Sequence, residues 1–221
     1  VYRPSELLPI EETHPLNEGT SWEYAREKIA IERLLETTDT HTFPWVSLRP
    51  AYIYGPHNNA QQAEFALFQR IEQGLPVLIP GDGHFFFHQT HARDLAHATI
   101  AALEQDEAIG NAYNIAGRYA QSGNELVQAA ATAIGRKAEI AYMPGTISRS
   151  ETSRFFYWQT RPAQVYSTEA ARNDLGWEPR FDIVEGLRDA YSWYLETGYS
   201  ETDPYDFSAH EDLLEQMAHE D

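Results

Sequence analysis

Apolar and polar residues along the chain fall into two alternating rhythms, one helical and one extended. Between 20 and 36, Ile29, Leu34 and Leu35 recur close to helical spacing. Thr20 and Glu23 form a capping-box pattern ahead of them, so the spacing predicts a helix there. The apolar stretch at 45–54, closed by Gly55-Pro56, predicts a strand. A helix over about 61–73, with Phe65, Leu67, Phe68 and Ile71 as its core stripe, stops at Gly74. Val77–Pro80 reads as a short buried strand, and Gly81-Asp82-Gly83 turns into a second strand over 84–90. A helix over 92–104 carries Asp94 near its N-terminus, where a carboxylate suits the dipole.

A strand and turn follow at 111–117. Ser122 and Glu125 then predict a capping box on a helix ended by Gly135, and 138–144 reads as a strand. Thr168–Leu175 reads as a short helix stopped by Gly176. Ile183–Leu195 reads as a longer one, with Leu187, Tyr191 and Tyr194 on one face. Residues 1–19 read as loop and 145–166 as a polar, aromatic lid. From Glu196 onward the pattern predicts an acidic tail, partly helical at best.

Strands alternating with helices make the expected class α/β. At 221 residues and 42% apolar, the chain can bury a sizeable core in one or two domains. No run approaches the ~18 apolar residues that span a bilayer, so the reading is soluble, cytoplasmic and without membrane association. The absence of cysteine excludes a disulfide scaffold, a thiol nucleophile and cysteine-ligated zinc. With 34 acidic against 16 basic residues, for a net charge of −18, the surface repels polyphosphate, and no nucleic-acid partner is expected. Lys28 and Lys137 are the lysines of the chain; such an acidic, lysine-poor composition fits a surface adapted to high salt.

Candidate chemistry starts at Tyr24 and Lys28, which lie one helical turn apart on the same face. An ammonium beside a phenol favours phenolate, and a tyrosine tuned that way can give or take a proton at a carbonyl or alcohol carbon. His84, His88, His91 and His97 do not make a metal site on this reading. His84 and His88 would stand ~13 Å apart on one strand, and no His-Glu-x-x-His spacing occurs. No Gly-x-Ser-x-Gly supports a hydrolase triad.

Tyr24-x-x-x-Lys28 followed by Leu48-Arg49-Pro50-x-x-x-Tyr54-Gly55-Pro56 resembles the extended short-chain dehydrogenase/reductase family, the NAD-dependent epimerases, dehydratases and reductases of sugar nucleotides. The resemblance runs on through Gly81-Asp82-Gly83, Asp94-Leu95-Ala96, Tyr113-Asn114-Ile115-Ala116-Gly117 and Leu175-Gly176-Trp177-Glu178-Pro179, to about residue 197. It implies an incomplete Rossmann-like, doubly wound parallel sheet with a smaller C-terminal α/β substrate region. Residues 1–57 and part of 75–120 would then belong to the dinucleotide-binding domain. Residues 58–74 and 121–197 would form mainly the substrate region, with an acidic tail at 198–221.

The resemblance also implies roles for particular residues. Tyr24 would be the acid/base, and Lys28 its electrostatic partner on the nicotinamide ribose of NAD or NADP. Pro50, Ala51 and Tyr52 would pass the nicotinamide ring. Tyr52 stands where the family commonly has a substrate-contacting Asn. Phe87 and His88 stand where many members have an Arg-Asp pair, the Arg on a substrate diphosphate, and phenylalanine cannot pair with phosphate. Arg161 resembles a second phosphate-binding arginine. The implied substrate is a nucleotide sugar or a related alcohol or carbonyl compound, and the implied parent protein a homodimer.

Val1-Tyr2 matches residues just after the family's catalytic Ser or Thr, and no Gly-x-x-Gly-x-x-Gly occurs in the 221 residues. The 221-residue chain is therefore expected to be an inactive fragment of such an enzyme. Two other expectations share the motifs: a non-catalytic binding or RNA-associated relative, and a simple carbonyl reductase.

Overall fold

The computed structural model describes residues 1–58, 64–143, 164–198 and 206–220, the side chains of 219 and 220 apart. In chain order the elements are α1 (Glu23–Glu36), β1 (Ser47–Pro50), β2 (Tyr52–Tyr54), α2 (Glu64–Glu72), β3 (Val77–Pro80), β4 (Phe86–Phe87), β5 (Gln89–His91), α3 (Ala92–Leu103), β6 (Ala112–Ile115), β7 (Gln121–Ser122), α4 (Gly123–Ile134) and β8 (Ile140–Met143). They continue with α5 (Glu169–Leu175), α6 (Ile183–Glu196) and α7 (Ser208–Glu220). The pairs β1–β6 and β3–β8 are parallel, β4–β7 is antiparallel, and β2 pairs with β5. Parallel pairs joined through helices make the chain α/β, as the alternation predicts. The chain divides into two compact units: Val1–Ile53 with His88–Tyr119 and Gln164–Arg180, and Tyr54–Phe87 with Ala120–Ala163 and Phe181–Asp221.

The first unit is built on β1 and β6, paired from Ser47↔Ala112 to Pro50↔Ile115. Ala98, Ala102, Tyr113, Ile115, Leu175 and Trp177 bury one apolar cluster, and Tyr2, Ile10, Leu16 and Ile29 bury another. Two of the sequence motifs meet inside it. Trp177 Nε1 donates to the Asp94 carbonyl at 3.1 Å, and the Arg180 N–H donates to the Asp94 carboxylate at 3.0 Å. Gly117 is required by a close approach, because its N–H reaches the Gln89 carbonyl at 2.7 Å and a Cβ would stand 2.8 Å from that same oxygen.

In the second unit α2, α4 and α6 pack on one another. The Ser122–Glu125 capping box is formed, and Gly135 ends α4 in the left-handed region with φ 70°. Phe65 stacks on Tyr194 with ring centroids 5.6 Å apart, and Phe68 meets Tyr191 edge-on at 5.3 Å. Gly186 of α6 faces Tyr54, and a Cβ there would overlap the phenol oxygen.

Several local expectations need correction. The Thr20–Glu23 capping box does not form, because Thr20 Oγ1 accepts instead from the Trp22 N–H two residues on, and Trp22 becomes the N-cap. The buried side of α1 is Ala25 and Ile29, with Glu32 in line, whereas Leu34 is 66% exposed. The strand over 45–54 is two strands broken at Ala51, β1 pairing with β6 and β2 with β5. The strand over 84–90 also breaks, at His88, whose ring is held by other backbone segments. The acidic tail, expected to be partly helical at best, carries a 13-residue helix, α7, and is not at odds with that reading. Its Ala209, Leu213, Leu214 and Met217 pack on Leu78 and Met143. Helix α2 begins at Glu64, and residues 59–63 ahead of it lie outside the described residues.

Candidate active site

Helix α1 carries Tyr24 and Lys28 on its exposed side. Lys28 Nζ stands 5.4 Å from the centroid of the Tyr24 ring, a cation–π distance, so the i,i+4 spacing does bring the two side chains together. Tyr24 is 55% exposed, and the Trp22 ring leans on it at 5.2 Å. A phenol, an ammonium and an indole edge thus share one accessible patch. A substrate hydroxyl arriving there would meet a proton donor or acceptor beside a fixed positive charge.

The other predicted site residues are placed as follows. Pro50 ends β1 and is exposed; Ala51 is buried, its N–H on the Ile115 carbonyl at 2.8 Å. Tyr52 is partly buried and opens β2, its N–H on the His88 carbonyl at 3.3 Å. All three belong to the same unit as Tyr24 and Lys28. Phe87, on β4 opposite Gln121, belongs to the other unit. Arg161 and residues 145–163 of the lid expected over 145–166 lie outside the described residues.

His88, beside Phe87, is buried and held through both ring nitrogens. Nε2 donates to the Gly117 carbonyl at 2.8 Å and Nδ1 accepts from the Tyr166 N–H at 3.1 Å, which defines a neutral tautomer. Burial pushes its pKa below the ordinary histidine value, against the raising effect of the Gly117 bond. In this chain the imidazole joins three backbone segments.

The largest feature that sequence reasoning missed is a buried polar set behind α1. Arg49 sends Nε to both Glu32 carboxylate oxygens, at 2.9 and 3.0 Å, and its Nη2 closes a fork on Glu32 Oε2. Its Nη1 reaches Tyr2 Oη at 2.7 Å and the Glu12 carbonyl at 3.0 Å. Tyr2 Oη donates to Asn114 Oδ1 at 2.7 Å, and Asn114 Nδ2 donates to the Ile10 carbonyl at 3.1 Å. The Arg49 and Glu32 side chains are 10% and 11% exposed. Burial pushes the Tyr2 phenol up to about 12, with the Arg49 charge opposing. Burial also works against the Arg49 charge, but the bonds to Glu32 and Tyr2 more than offset it and raise its pKa. The available signal was a Glu in line with Ala25 and Ile29, and an Arg inside an apolar strand.

Among the described residues, no group of three or more His, Cys, Asp or Glu could hold a metal ion, and no helix is long and apolar enough to cross a membrane.

The family model for the NAD dependent epimerase/dehydratase family matches residues 1–116, more than half of the chain. The chain belongs to that family. Curated relatives include the chloroplast stem-loop binding protein of 41 kDa b of Arabidopsis thaliana, 32% identical over 87% of this chain and 49% of that protein. The 2-alkyl-3-oxoalkanoate reductase of Stenotrophomonas maltophilia is 33% identical over 84% of this chain and 62% of that protein. The fold is similar to that of the dTDP-glucose 4,6-dehydratase of Bacillus anthracis crystallised with NAD. There the TM-score is 0.69 at 20% identity, covering 88% of this chain and 58% of that one. The chain spans about half the length of the first curated relatives it matches.

Proposed function

We propose that this chain carries the proton-transferring part of a nicotinamide-dependent oxidoreductase, working on the hydroxyl or carbonyl carbon of a nucleotide sugar or a related small substrate. The observation that carries the reading is the Lys28 ammonium over the exposed Tyr24 ring. Tyr24 moves the hydroxyl proton, and Lys28 steadies the negative charge that develops on the phenol oxygen and on the substrate. Nicotinamide, when bound, supplies the hydride acceptor or donor. Lys28 and the β1 end at Pro50 and Ala51 suit the nicotinamide and its ribose. No glycine-rich pyrophosphate cradle occurs in the 221 residues, so we assign that part of NAD or NADP to no residue here. The chain taken alone is expected to hold NADH weakly and not to turn over, and NADH titration by calorimetry checks this. Micromolar binding would overturn that part of the reading.

In a protein that carries this chain and turns over, Tyr24→Phe lowers kcat by on the order of 10²–10⁴-fold, the usual weight of general acid–base catalysis, with the chain still folded. Unaltered turnover would remove Tyr24 from the chemistry. The substrate class is tested in the same assay, by comparing UDP- or dTDP-sugars with small ketones. His88, held on both nitrogens, and the apolar Phe87 supply no diphosphate contact, which favours the smaller substrates. Likeness to a 2-alkyl-3-oxoalkanoate reductase supports the same carbonyl-reductase alternative.

A second reading, a stem-loop-binding relative without catalysis, is favoured by likeness to the Arabidopsis thaliana protein of that name. The net charge of −18 opposes it. Salt-dependent retention of an RNA hairpin by the chain, undiminished in Tyr24→Phe, would support it. On the oxidoreductase reading the parent assembles as a homodimer through α1, whose Ile31 and Leu34 are 50% and 66% exposed; equilibrium sedimentation tests this.

A further inference from the structure

Tyr24, Lys28 and Glu32 are spaced four residues apart, so they form one row along α1, each a turn above the last. The first two are exposed; the third turns inward and ends in the Arg49 fork. Helix α1 buries few apolar side chains, Ala25 and Ile29 being its buried residues, and apolar contact is non-directional. A smooth pair of small and branched side chains leaves a helix free to roll. A two-point guanidinium–carboxylate fork does not, because it fixes both position and plane. Arg49 is itself held on three other sides: by its own strand in register with β6, by Tyr2 Oη and by the Glu12 carbonyl. Glu12 Oε1 accepts from the Asn114 N–H at 2.7 Å, and Ser47 Oγ donates to Glu32 Oε1 at 3.2 Å. The chain of contacts therefore runs from the β1–β6 pair through Arg49 to Glu32 and up the row to Lys28 and Tyr24.

We propose that Glu32 and Arg49 are positioning residues for the Tyr24–Lys28 pair, the buried fork setting the rotation of α1 about its own axis and so the direction in which phenol and ammonium face a substrate. The proposal rests on the reading of Tyr24 and Lys28 as the reacting pair. Replacing the fork by a neutral pair would keep the helix yet widen the range of directions its exposed row samples.

The test uses the full chain and exploits its lack of cysteine. Nitroxide labels at Ala30→Cys on α1 and Ala96→Cys on α3, both exposed and in one unit, report a single distance by pulsed electron resonance. With the fork intact the distribution is narrow. Arg49→Lys, which keeps charge and removes the fork, broadens or shifts it, and Glu32→Gln, which keeps shape and removes charge, does so too. Leu175→Ala, which weakens the same unit from another place, leaves it narrow. An unchanged distribution in folded Arg49→Lys and Glu32→Gln overturns the proposal, as does equal broadening in Leu175→Ala. Should Glu32→Gln fail to fold, Arg49→Lys decides alone. In a catalytically active protein carrying this chain, the same variants lower kcat and raise the nicotinamide KM per folded molecule, whereas Leu175→Ala, which only lowers the folded fraction, leaves KM unchanged. The distance needs no turnover. If Tyr24→Phe proves silent, the reading of Tyr24 fails, and the distance still decides whether the fork orients α1.

Discussion

In the unit that carries α1, Tyr2, Glu12, Glu32, Arg49 and Asn114 share one buried set of hydrogen bonds, whereas in the other unit Phe65, Phe68, Tyr191 and Tyr194 pack ring against ring. Aromatic packing gives attraction that grows with contact area and accepts either offset-stacked or edge-on pairs. The polar set gives direction, and leaves a large cost if any member is lost, since a buried charge without its partner has nowhere to go. The helix with the exposed Tyr24–Lys28 contact is the one joined to β1 by the directional Arg49–Glu32 bonds. The aromatic rings join α2 to α6.

The sharpest way to break the contrast is Arg49→Met. Leaving Glu32 buried and unpaired is expected to cost about 3–5 kcal/mol in urea unfolding, with most of the loss recovered in Arg49→Met/Glu32→Leu. A double variant no better than the single would show that the set is not acting as a charge pair. Phe68→Ala in the aromatic unit is expected to cost a similar ~3–5 kcal/mol, but no second substitution at a ring neighbour should restore it, because what is lost is contact area.

Glu64 sharpens the comparison, since it is a polar liability inside the aromatic unit. Burial pushes its carboxyl from 4.5 up to about 7, although the Gly55 N–H at 2.8 Å and Asn58 Nδ2 at 3.0 Å favour the charged form. The folded chain therefore holds this proton after the unfolded chain has released it. Stability from this group is complete below about pH 4.5, falls as pH rises from there to about 7, and stays reduced above. Glu64→Gln should flatten that slope, the benefit over the parent growing by up to ~3 kcal/mol between pH 4.5 and 8. The smallest expected effect is Ser122→Ala at the start of α4, about 1 kcal/mol by thermal unfolding, a capping loss that neither kind of core would amplify.

The elements most legible from sequence were those whose signals are local. Gly135 and Gly176 ended helices where predicted, the Ser122–Glu125 box formed, and Phe65, Leu67, Phe68 and Ile71 were buried together. Elements decided by distant partners were read less well. Thr20 chose a two-residue turn over a cap, and His88 broke a strand because its ring answers to Gly117 and Tyr166. The Tyr24–Lys28 contact could be read from spacing alone. The Arg49–Glu32 fork behind it could not, for its members are 17 residues apart, and a Glu in line with Ala25 and Ile29 or an Arg inside an apolar strand does not by itself name its partner.

Tyr54 and Gly186 have a further consequence for how this chain can vary. The phenol fills the room that any larger residue at 186 would need, so a saturation library at that site should return glycine almost alone. Survivors carrying alanine should be found mainly with a trimmed partner, such as Tyr54→Leu. The two positions would then drift as a linked pair, each substitution opening or closing the way for the other.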